Sequence, residues 1–291
     1  MAQRLVSSLL GVLARVPWLG GPIRRRAWYP YRHHAVLLFA PRENVTFTQF
    51  MRLPRQCDAL VGPVVDFLLA EGDPGRPLKL VVYGCSNGAE AYTIASVLAT
   101  RRPDIDFRVH ASDIERAMID KALAATYPVE EVARNPFVTD AFLDATFVRD
   151  GASLRVRPAL RERVSFEIAD LLDPAVATRF GPADIVVAQN FLYHLDRRRA
   201  RIAFRNLCAT LGPRSALFVD GMDIDMRETL TRKAGLRPLD HLVAEIHGDA
   251  MTLRGGHWPW QYWSLEPLDM RRKDRARRYA TIFLREAAER H

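Results

Sequence analysis

A glycine-bordered turn, residues 84–90 (GCSNGAE), separates a short apolar run from a segment with helical spacing. Glycine allows a positive φ and lets a ligand approach the backbone, and the helix that follows offers free N–H groups at its start. The next predicted strand ends at Asp113, whose carboxylate can accept hydrogen bonds from both hydroxyls of a ribose. This spacing predicts a site for a nucleoside-containing ligand.

The same turn also spells Gly-x-Ser-x-Gly, the pattern of a hydrolase nucleophile elbow with Ser86 as the nucleophile. Asp220 and either His241 or His247 follow in the order Ser–Asp–His. However, the residues before the turn lack the series of strands that an elbow normally follows, and a triad leaves Asp113 without a role. The ligand-binding interpretation is therefore favoured, and a serine hydrolase remains the alternative.

The elements that must position these residues alternate in type along the chain. Strands are predicted at 78–83, 107–112, 164–168, 184–188, 216–220, 242–246 and 280–284, and helices at 55–70, 90–101, 115–126, 197–211 and 226–234. Gly212-Pro213 is expected to end the fourth of these helices. The alternation predicts an α/β fold, a mostly parallel twisted sheet flanked by helices. Residues 1–77 are expected to form a helical or irregular lead-in, and residues 78–291 the ligand-binding domain.

The amino-acid composition limits the expected partners and cellular location of the protein. The 291 residues carry a net charge of +8, mostly through arginine, which fits either an acidic partner or a compositional habit of the genome. Cys57, Cys85 and Cys208 are scattered, so we expect no disulfide, no metal site and a cytoplasmic location. No apolar run reaches the roughly 20 residues of a membrane span. No nucleic-acid-binding module is recognisable, so nucleic acid is not an expected partner.

Five segments resemble the CheR-type methyltransferases, which methylate glutamate side chains of bacterial chemotaxis receptors. Residues 84–95 (GCSNGAEAYTIA) are similar to the family's Gly-Cys-Ser-Thr-Gly-Glu-Glu-Pro-Tyr-Ser-Ile-Ala, and residues 111–114 (ASDI) to its Ala-Thr-Asp-Ile. Residues 44–46 (NVT) and 50–52 (FMR) resemble its Asn-x-Thr-x-Phe-Phe-Arg. Gln189-Asn190 stands where the family has Arg-Asn. The resemblance implies a Rossmann-like class I methyltransferase that uses S-adenosylmethionine (SAM).

The resemblance also implies a role for particular residues in holding SAM. Asn44, Thr46 and Glu90 would hold the amino-acid end, Asp113 the ribose, Asp170 and Leu171 the adenine, and Gln189 and Asn190 the floor beside the sulfonium, with Gly84, Ser86, Gly88 and Ile114 completing the site.

The methyl acceptor stays open between a protein carboxylate and a small molecule, because the sequence departs from the family around the acceptor. His194 stands where the family has a tyrosine, and Tyr193 is displaced by one position. A carboxylate acceptor needs only orientation, whereas a hydroxyl or amine needs a base, for which His194 and Tyr193 are the candidates. The aromatic cluster at 257–263 is predicted to wall the acceptor pocket or to pack a final hairpin. A binding module that keeps the SAM pocket without turnover is a further alternative.

Overall fold

The computed structural model describes residues 48–71, 75–254 and 266–286. Asn44, Thr46 and the aromatic cluster at 257–263 lie outside these ranges. The strands are β1 Leu78–Tyr83, β2 Phe107–Asp113, β3 Thr126–Pro128, β4 Phe147–Asp150, β5 Ser153–Val156, β6 Val164–Ile168, β7 Ala183–Ala188, β8 Leu211–Val219, β9 Arg237–Pro238 and β10 Ile282–Arg285. The helices are α1 Pro54–Ala59, α2 Val65–Leu69, α3 Ala89–Arg101, α4 Arg116–Ala124, α5 Val129–Ala133, α6 Asp140–Thr146, α7 Pro158–Arg161, α8 Ala175–Phe180, α9 Arg197–Thr210, α10 Ile224–Lys233, α11 Val243–Arg254 and α12 Arg275–Tyr279.

A seven-stranded sheet in the order β6-β2-β1-β7-β8-β10-β9 forms the centre of the molecule. β1 pairs in parallel with β2 on one side and with β7 on the other, and within the described part of this sheet only β10 runs opposite to the other strands. The predicted α/β fold with a mostly parallel sheet is confirmed. Because the strand order reverses beside β1, a crevice opens at the carboxyl ends of β1 and β7, where ligands bind in open α/β sheets.

Burial explains why the central strands form. β1 and β7 are apolar runs that are almost wholly buried, as expected for parallel strands covered by helices on both faces. On one face the sheet packs against α1 to α3, and on the other against α8 and α9. No helix in the described ranges has both the length and the apolar character needed to cross a bilayer.

A small antiparallel sheet, ordered β3-β5-β4, was not predicted from the sequence. Its strands have only three or four residues each, too few to show a clear alternation. Phe50 packs edge-on against the rings of Tyr127 and Phe147, at centroid distances of 4.9 and 5.1 Å. The Tyr127 hydroxyl also donates to the carbonyl of Asn87 at 2.6 Å. The small sheet thus supports both the segment before α1 and the turn after β1.

The helix predicted over 197–211 is confirmed as α9, which ends at Thr210. Gly212-Pro213 then lies inside β8, where a register shift against β7 accommodates a proline that cannot donate a ladder hydrogen bond. One predicted element was wrong. The strand predicted at 242–246 is the start of α11. Its apolar residues Val243, Ile246 and Ala250 are buried at helical spacing, a pattern that a five-residue window mistakes for a short strand.

Candidate functional site

A cavity of about 670 Å³ opens at the carboxyl edge of the sheet, within the usual range for small-molecule sites. The ends of β1, β2, β6 and β7 form one side, and the N-terminal part of α1 with the residues before it forms the other. The predicted site residues that line it are Gly84, Ser86, Glu90, Asp113, Ile114, Asp170, Leu171, Gln189, Asn190 and His194. The structure therefore brings together residues from four separate strand ends.

Asp113 joins the turn after β1 to the start of α4. One carboxylate oxygen, Oδ2, accepts the backbone N–H of Ser86 at 2.8 Å, and the other, Oδ1, accepts that of Glu115 at 3.0 Å. These two bonds fix the carboxylate in the cavity wall. Because an ionised carboxylate has about four acceptor positions, each oxygen keeps capacity for a further donor.

The two glycines of the turn have different environments. Gly84 lines the cavity with a φ of +66°, and a Cβ there would stand 2.5 Å from Cδ1 of Phe191. Gly88, at φ +87°, is absent from the described lining, and a Cβ there would stand 2.9 Å from Cζ of Phe166 and 3.0 Å from Cβ of Ala122. Gly88 is therefore needed for the close packing of α3 on β6 and α4, and its part in SAM binding stays a prediction.

Glu90 and Arg52 face the cavity from opposite walls. Burial raises the pKa of Glu90 to about 7, and the nearby charge of Arg52 offsets only part of that rise. Burial likewise lowers the pKa of Arg52, against the raising effects of Glu90, Tyr193 and Asp220. The Asn135 amide donates to the carbonyls of Phe50 and Met51. These bonds hold the backbone before α1 in place and so fix the position of Arg52. The cavity thus holds one acidic and one basic group, both poorly solvated.

The loop after β7 packs directly on the turn after β8. Asn190 adopts a φ of +62° and its N–H donates to the carbonyl of Asp220 at 3.2 Å. The N–H of Tyr193 donates to the carbonyl of Gly221 at 2.8 Å. A Cβ on Gly221 would stand 2.5 Å from the Asn190 Cα, so this approach requires glycine. The turn after β8 therefore determines where Gln189 and Asn190 stand.

His194 and Tyr193, the predicted catalytic residues, are placed differently. His194 lines the cavity, and its Nε2 is buried without a hydrogen-bond partner in the described structure. Burial lowers the pKa of His194 to about 4, so the imidazole is neutral at neutral pH. Tyr193 is buried and does not belong to the described lining; its ring contacts that of His194 at a tilt of 49°, with the centroids 4.0 Å apart. Of the two, only His194 is placed to meet a ligand.

The triad expected of a serine hydrolase is not assembled. Asp220 pairs with Arg227 at 3.1 Å, and Nε2 of His247 is bonded to the Glu266 carbonyl at 2.7 Å. Neither His241 nor His247 lines the described part of the cavity that contains Ser86. The backbone of Ser86 instead holds Asp113, the contact described above.

Arg52 is a charged residue of the cavity lining that was not predicted as a site residue from the sequence. It ends the 50–52 segment (FMR) quoted for the family resemblance, so its position in that motif could have revealed it. Cys57 also lines the cavity, but burial raises the pKa of its thiol to about 12 and keeps it protonated. Arg52 is therefore the positively charged side chain in the described lining that can contact an anionic ligand.

The strand order and a ligand cavity at its switch point define an α/β domain of the class I methyltransferases. The chain belongs to a known family within that class: the family model described as CheR methyltransferase, SAM binding domain, matches residues 46–233, which is more than half of the chain. The expected family and its cofactor, SAM, are thereby confirmed.

Individual proteins are similar to this chain over part of their length. Probable biofilm formation methyltransferase WspC of Pseudomonas putida is 31% identical over 196 residues, covering 66% of this chain and 44% of that protein. Chemotaxis protein methyltransferase 2 of Vibrio cholerae is 27% identical over 180 residues, covering 60% of this chain and 61% of that protein. The chain spans less than two thirds of either relative.

Among solved structures, magnesium protoporphyrin IX methyltransferase (ChlM) from Synechocystis with bound SAM aligns with 80% of this chain and 87% of that chain. Its sequence identity is 15% and its TM-score 0.36.

Proposed function

We propose that the chain transfers a methyl group from SAM to a carboxylate on a protein acceptor. The observation that carries this proposal is the cavity itself, in which Asp113 and Glu90 stand on the turn side and Arg52 faces them from the segment before α1. The named relatives act in chemotaxis or biofilm formation, and a chemotaxis methyltransferase modifies protein. A small-molecule acceptor is the alternative.

The cavity residues fit the three parts of SAM. Asp113 has free acceptor capacity for the two ribose hydroxyls, and Glu90 offers the carboxylate that an ammonium group requires. The adenine fits between Ile114, a residue that is 63% exposed, and the Asp170-Leu171 segment. Asn44 and Thr46 are proposed to contact the amino-acid end of SAM, and residues 1–77 are proposed to form a lead-in to the SAM-binding domain.

Bound SAM supplies an activated methyl group on a sulfonium sulfur, so the chain has to align the acceptor and keep water out. Arg52 is suited to orient an acceptor carboxylate, since a guanidinium pairs with both oxygens at once. Gln189 and Asn190 form the floor next to the reacting atoms. His194, neutral at neutral pH, contributes a hydrogen bond through Nε2 and not a strong base, which favours an acceptor that is already ionised.

Binding of the demethylated product, S-adenosylhomocysteine (SAH), should depend on pH through Glu90. Because the pKa of Glu90 is raised to about 7, pairing with the ligand's ammonium at lower pH requires loss of a proton. We expect the affinity to fall about tenfold per pH unit below about 7. It should also fall at higher pH, once the α-amino group of SAH loses its proton.

Titration calorimetry in buffers with different ionisation heats measures this proton release directly. Glu90→Gln should bind SAH more weakly than wild type at pH 7.5 and lose the acidic limb of the profile. An affinity that stays level from about pH 5.5 to 7 in wild-type protein contradicts the proposed role of Glu90.

The acceptor can be identified by methyl labelling. Wild-type protein and SAM tritiated in the methyl group are mixed with a bacterial cell extract at about pH 8, above the pKa of Glu90 in the wild-type protein. A carboxylate acceptor forms a methyl ester, so we expect label in the protein fraction that mild alkali releases as volatile methanol. Label in the small-molecule fraction, or protein label that resists alkali, contradicts a protein carboxylate.

Arg52→Met should reduce this transfer by about 100-fold, because it removes a two-bonded, charge-assisted contact worth roughly 1.5–3 kcal/mol per bond. SAH binding at the same pH should stay within about threefold, and Arg52→Lys should recover part of the transfer. Arg55→Met is the matched control: Arg55 is nearby, pairs with Asp58 at the surface and should behave as wild type. Equal losses in the Arg52 and Arg55 variants contradict the assignment.

A further inference from the structure

The outer surface of α9 carries a row of arginines. Arg197, Arg201 and Arg205 follow one another at intervals of four residues, and Arg198 lies beside them on the same side. We call these four residues the α9 arginine face. Arg198, Arg201 and Arg205 are exposed and Arg197 is half-buried. The opposite side of the helix is buried against the sheet through Ala200, Ala203, Phe204 and Leu207.

No acidic side chain in the described ranges forms an ion pair with a guanidinium of the α9 arginine face. Asp196 caps the helix by accepting the backbone N–H groups of Arg198 and Arg199, and its carboxylate lies 3.6 Å from the guanidinium of Arg199. Arginines elsewhere on the surface do have such partners, such as Arg179 with Glu167 and Arg214 with Glu71. The rest of the sequence contains only Glu43, Asp73 and Glu289 as acidic residues. The chain therefore has few carboxylates left to neutralise this face.

The arrangement is also unfavourable for the helix itself. Arg197 and Arg198 occupy the first turn, where the helix dipole disfavours cations by about 0.3–1 kcal/mol each. Like charges four residues apart, as in Arg197–Arg201 and Arg201–Arg205, cost about 0.2–0.5 kcal/mol per pair. Acidic or neutral residues at these positions would stabilise α9 more. These costs favour a role for the four charges in binding rather than in the stability of the fold.

The α9 arginine face begins at the rim of the cavity. His194 and Leu195 line the cavity, and α9 starts two residues later, at Arg197. From Arg197 to Arg205 the face extends about 12 Å along the helix, at 1.5 Å per residue. A polymer that lies on the face can therefore reach into the acceptor side of the cavity.

We propose that the α9 arginine face binds an acidic polypeptide segment of the acceptor protein, adjacent to the carboxylate that is methylated. This inference rests on the proposed function, because it assumes that the acceptor belongs to a protein. Arginine pairs with carboxylates through two parallel hydrogen bonds, and the same chemistry is proposed for Arg52 inside the cavity. A nucleic acid satisfies the charge of the face but offers no carboxylate to be methylated.

Fluorescence anisotropy with labelled poly-L-glutamate as the probe tests the docking face. Arg201→Gln/Arg205→Gln should weaken binding about tenfold, which corresponds to about 1.4 kcal/mol. The matched control is Arg271→Gln/Lys273→Gln, which removes the same charge from two exposed positions near α12 and should weaken binding less than about twofold. Binding of wild-type protein should also weaken steeply as salt is added.

Two further measurements separate the outcomes. Removal of like charges should leave the melting temperature of the Arg201/Arg205 variant unchanged or raised, so a loss of binding is not a loss of fold. SAH affinity should stay within about twofold in both variants. The docking proposal is overturned if the two double variants weaken binding equally. It is also overturned if the protein binds a single-stranded oligonucleotide tightly through Arg201 and Arg205 but does not bind poly-L-glutamate. A wild-type protein that does not bind SAH instead refutes the proposed function.

Discussion

Replacing Arg227 by methionine should lower the free energy of unfolding by about 3–5 kcal/mol, the usual cost of breaking a buried ion pair from one side. The side chains of Arg227 and Asp220 are 1% and 3% exposed, and their closest atoms lie 3.1 Å apart. Arg227 also donates to the carbonyl of Arg278 at 3.0 Å, which ties α10 to α12. Methionine fills a similar volume but leaves the Asp220 carboxylate in a poorly solvated position.

Urea unfolding at pH 7 measures this cost, and α10 supplies a matched control. Arg232 is exposed and pairs with Glu228, so Arg232→Met should cost less than about 1 kcal/mol. The double variant Asp220→Asn/Arg227→Met should be more stable than Arg227→Met alone, because it no longer buries an unpaired charge. If Arg227→Met and Arg232→Met destabilise equally, the buried pair does not hold the turn after β8.

Breaking this ion pair should also change the geometry of the cavity. Asp220 and Gly221 accept the backbone N–H groups of Asn190 and Tyr193, so the ion pair anchors the turn on which the loop after β7 rests. The loop after β7, which we propose as the floor beside the acceptor, therefore packs on a turn that this ion pair anchors.

Replacing Asp113 by alanine should weaken SAH binding by at least about 100-fold. Two hydrogen bonds from ribose hydroxyls to a charged group are worth roughly 1.5–3 kcal/mol each, and 1.4 kcal/mol is a factor of ten. The substitution also removes the acceptor of the Ser86 and Glu115 N–H groups, so the turn loses its fixed position. Calorimetric titration measures the affinity, and a circular dichroism spectrum checks that the variant is folded.

Asp173→Ala is the control for Asp113→Ala. Asp173 is an exposed carboxylate near the same sheet edge that caps the backbone of Ala175 and does not line the described cavity. Its removal should change SAH affinity less than about twofold. An Asp113 variant that is folded and binds as tightly as the Asp173 variant excludes the ribose contact.

The central sheet could be predicted because its strands are continuous apolar runs. β1 and β6 have the predicted bounds, and β2 and β7 differ from them by one residue at one end. Burial on both faces leaves no other arrangement for such segments. The helix predicted over 55–70 is also confirmed, although a π-helical turn at Leu60–Val64, which includes Gly62 and Pro63, interrupts it between α1 and α2.

Elements whose stability depends on distant contacts could not be predicted in this way. The strands β3 to β5 are short and edge-exposed, and they form because Tyr127 and Phe147 pack on Phe50, far away in sequence. The segment at 242–246 has apolar residues compatible with either a strand or a helix, and only the packing of Ile246 and Ala250 decides between them.

The candidate site was predictable where backbone constraints leave a mark in the sequence. Gly84 and Asp113 have such marks, namely a positive φ after a strand and an acidic residue at the end of the next strand. Arg52 has no backbone mark of this kind and is recognisable only from the family motif at 50–52, because a contact distant in sequence, from the Asn135 amide, holds its segment at the cavity. Tyr193 carries no such mark either: it is adjacent in sequence to His194, which lines the cavity, but its own side chain is buried in the core.

The most direct test of the account is a calorimetric titration of the wild-type protein with SAM and with SAH. The account predicts saturable binding of both, with one ligand per chain and an affinity that depends on Asp113 and Glu90. It also predicts that Ser86 does not react with a fluorophosphonate probe. Folded protein that binds neither ligand, and whose Ser86 is labelled by the probe, would contradict the account and favour a hydrolase.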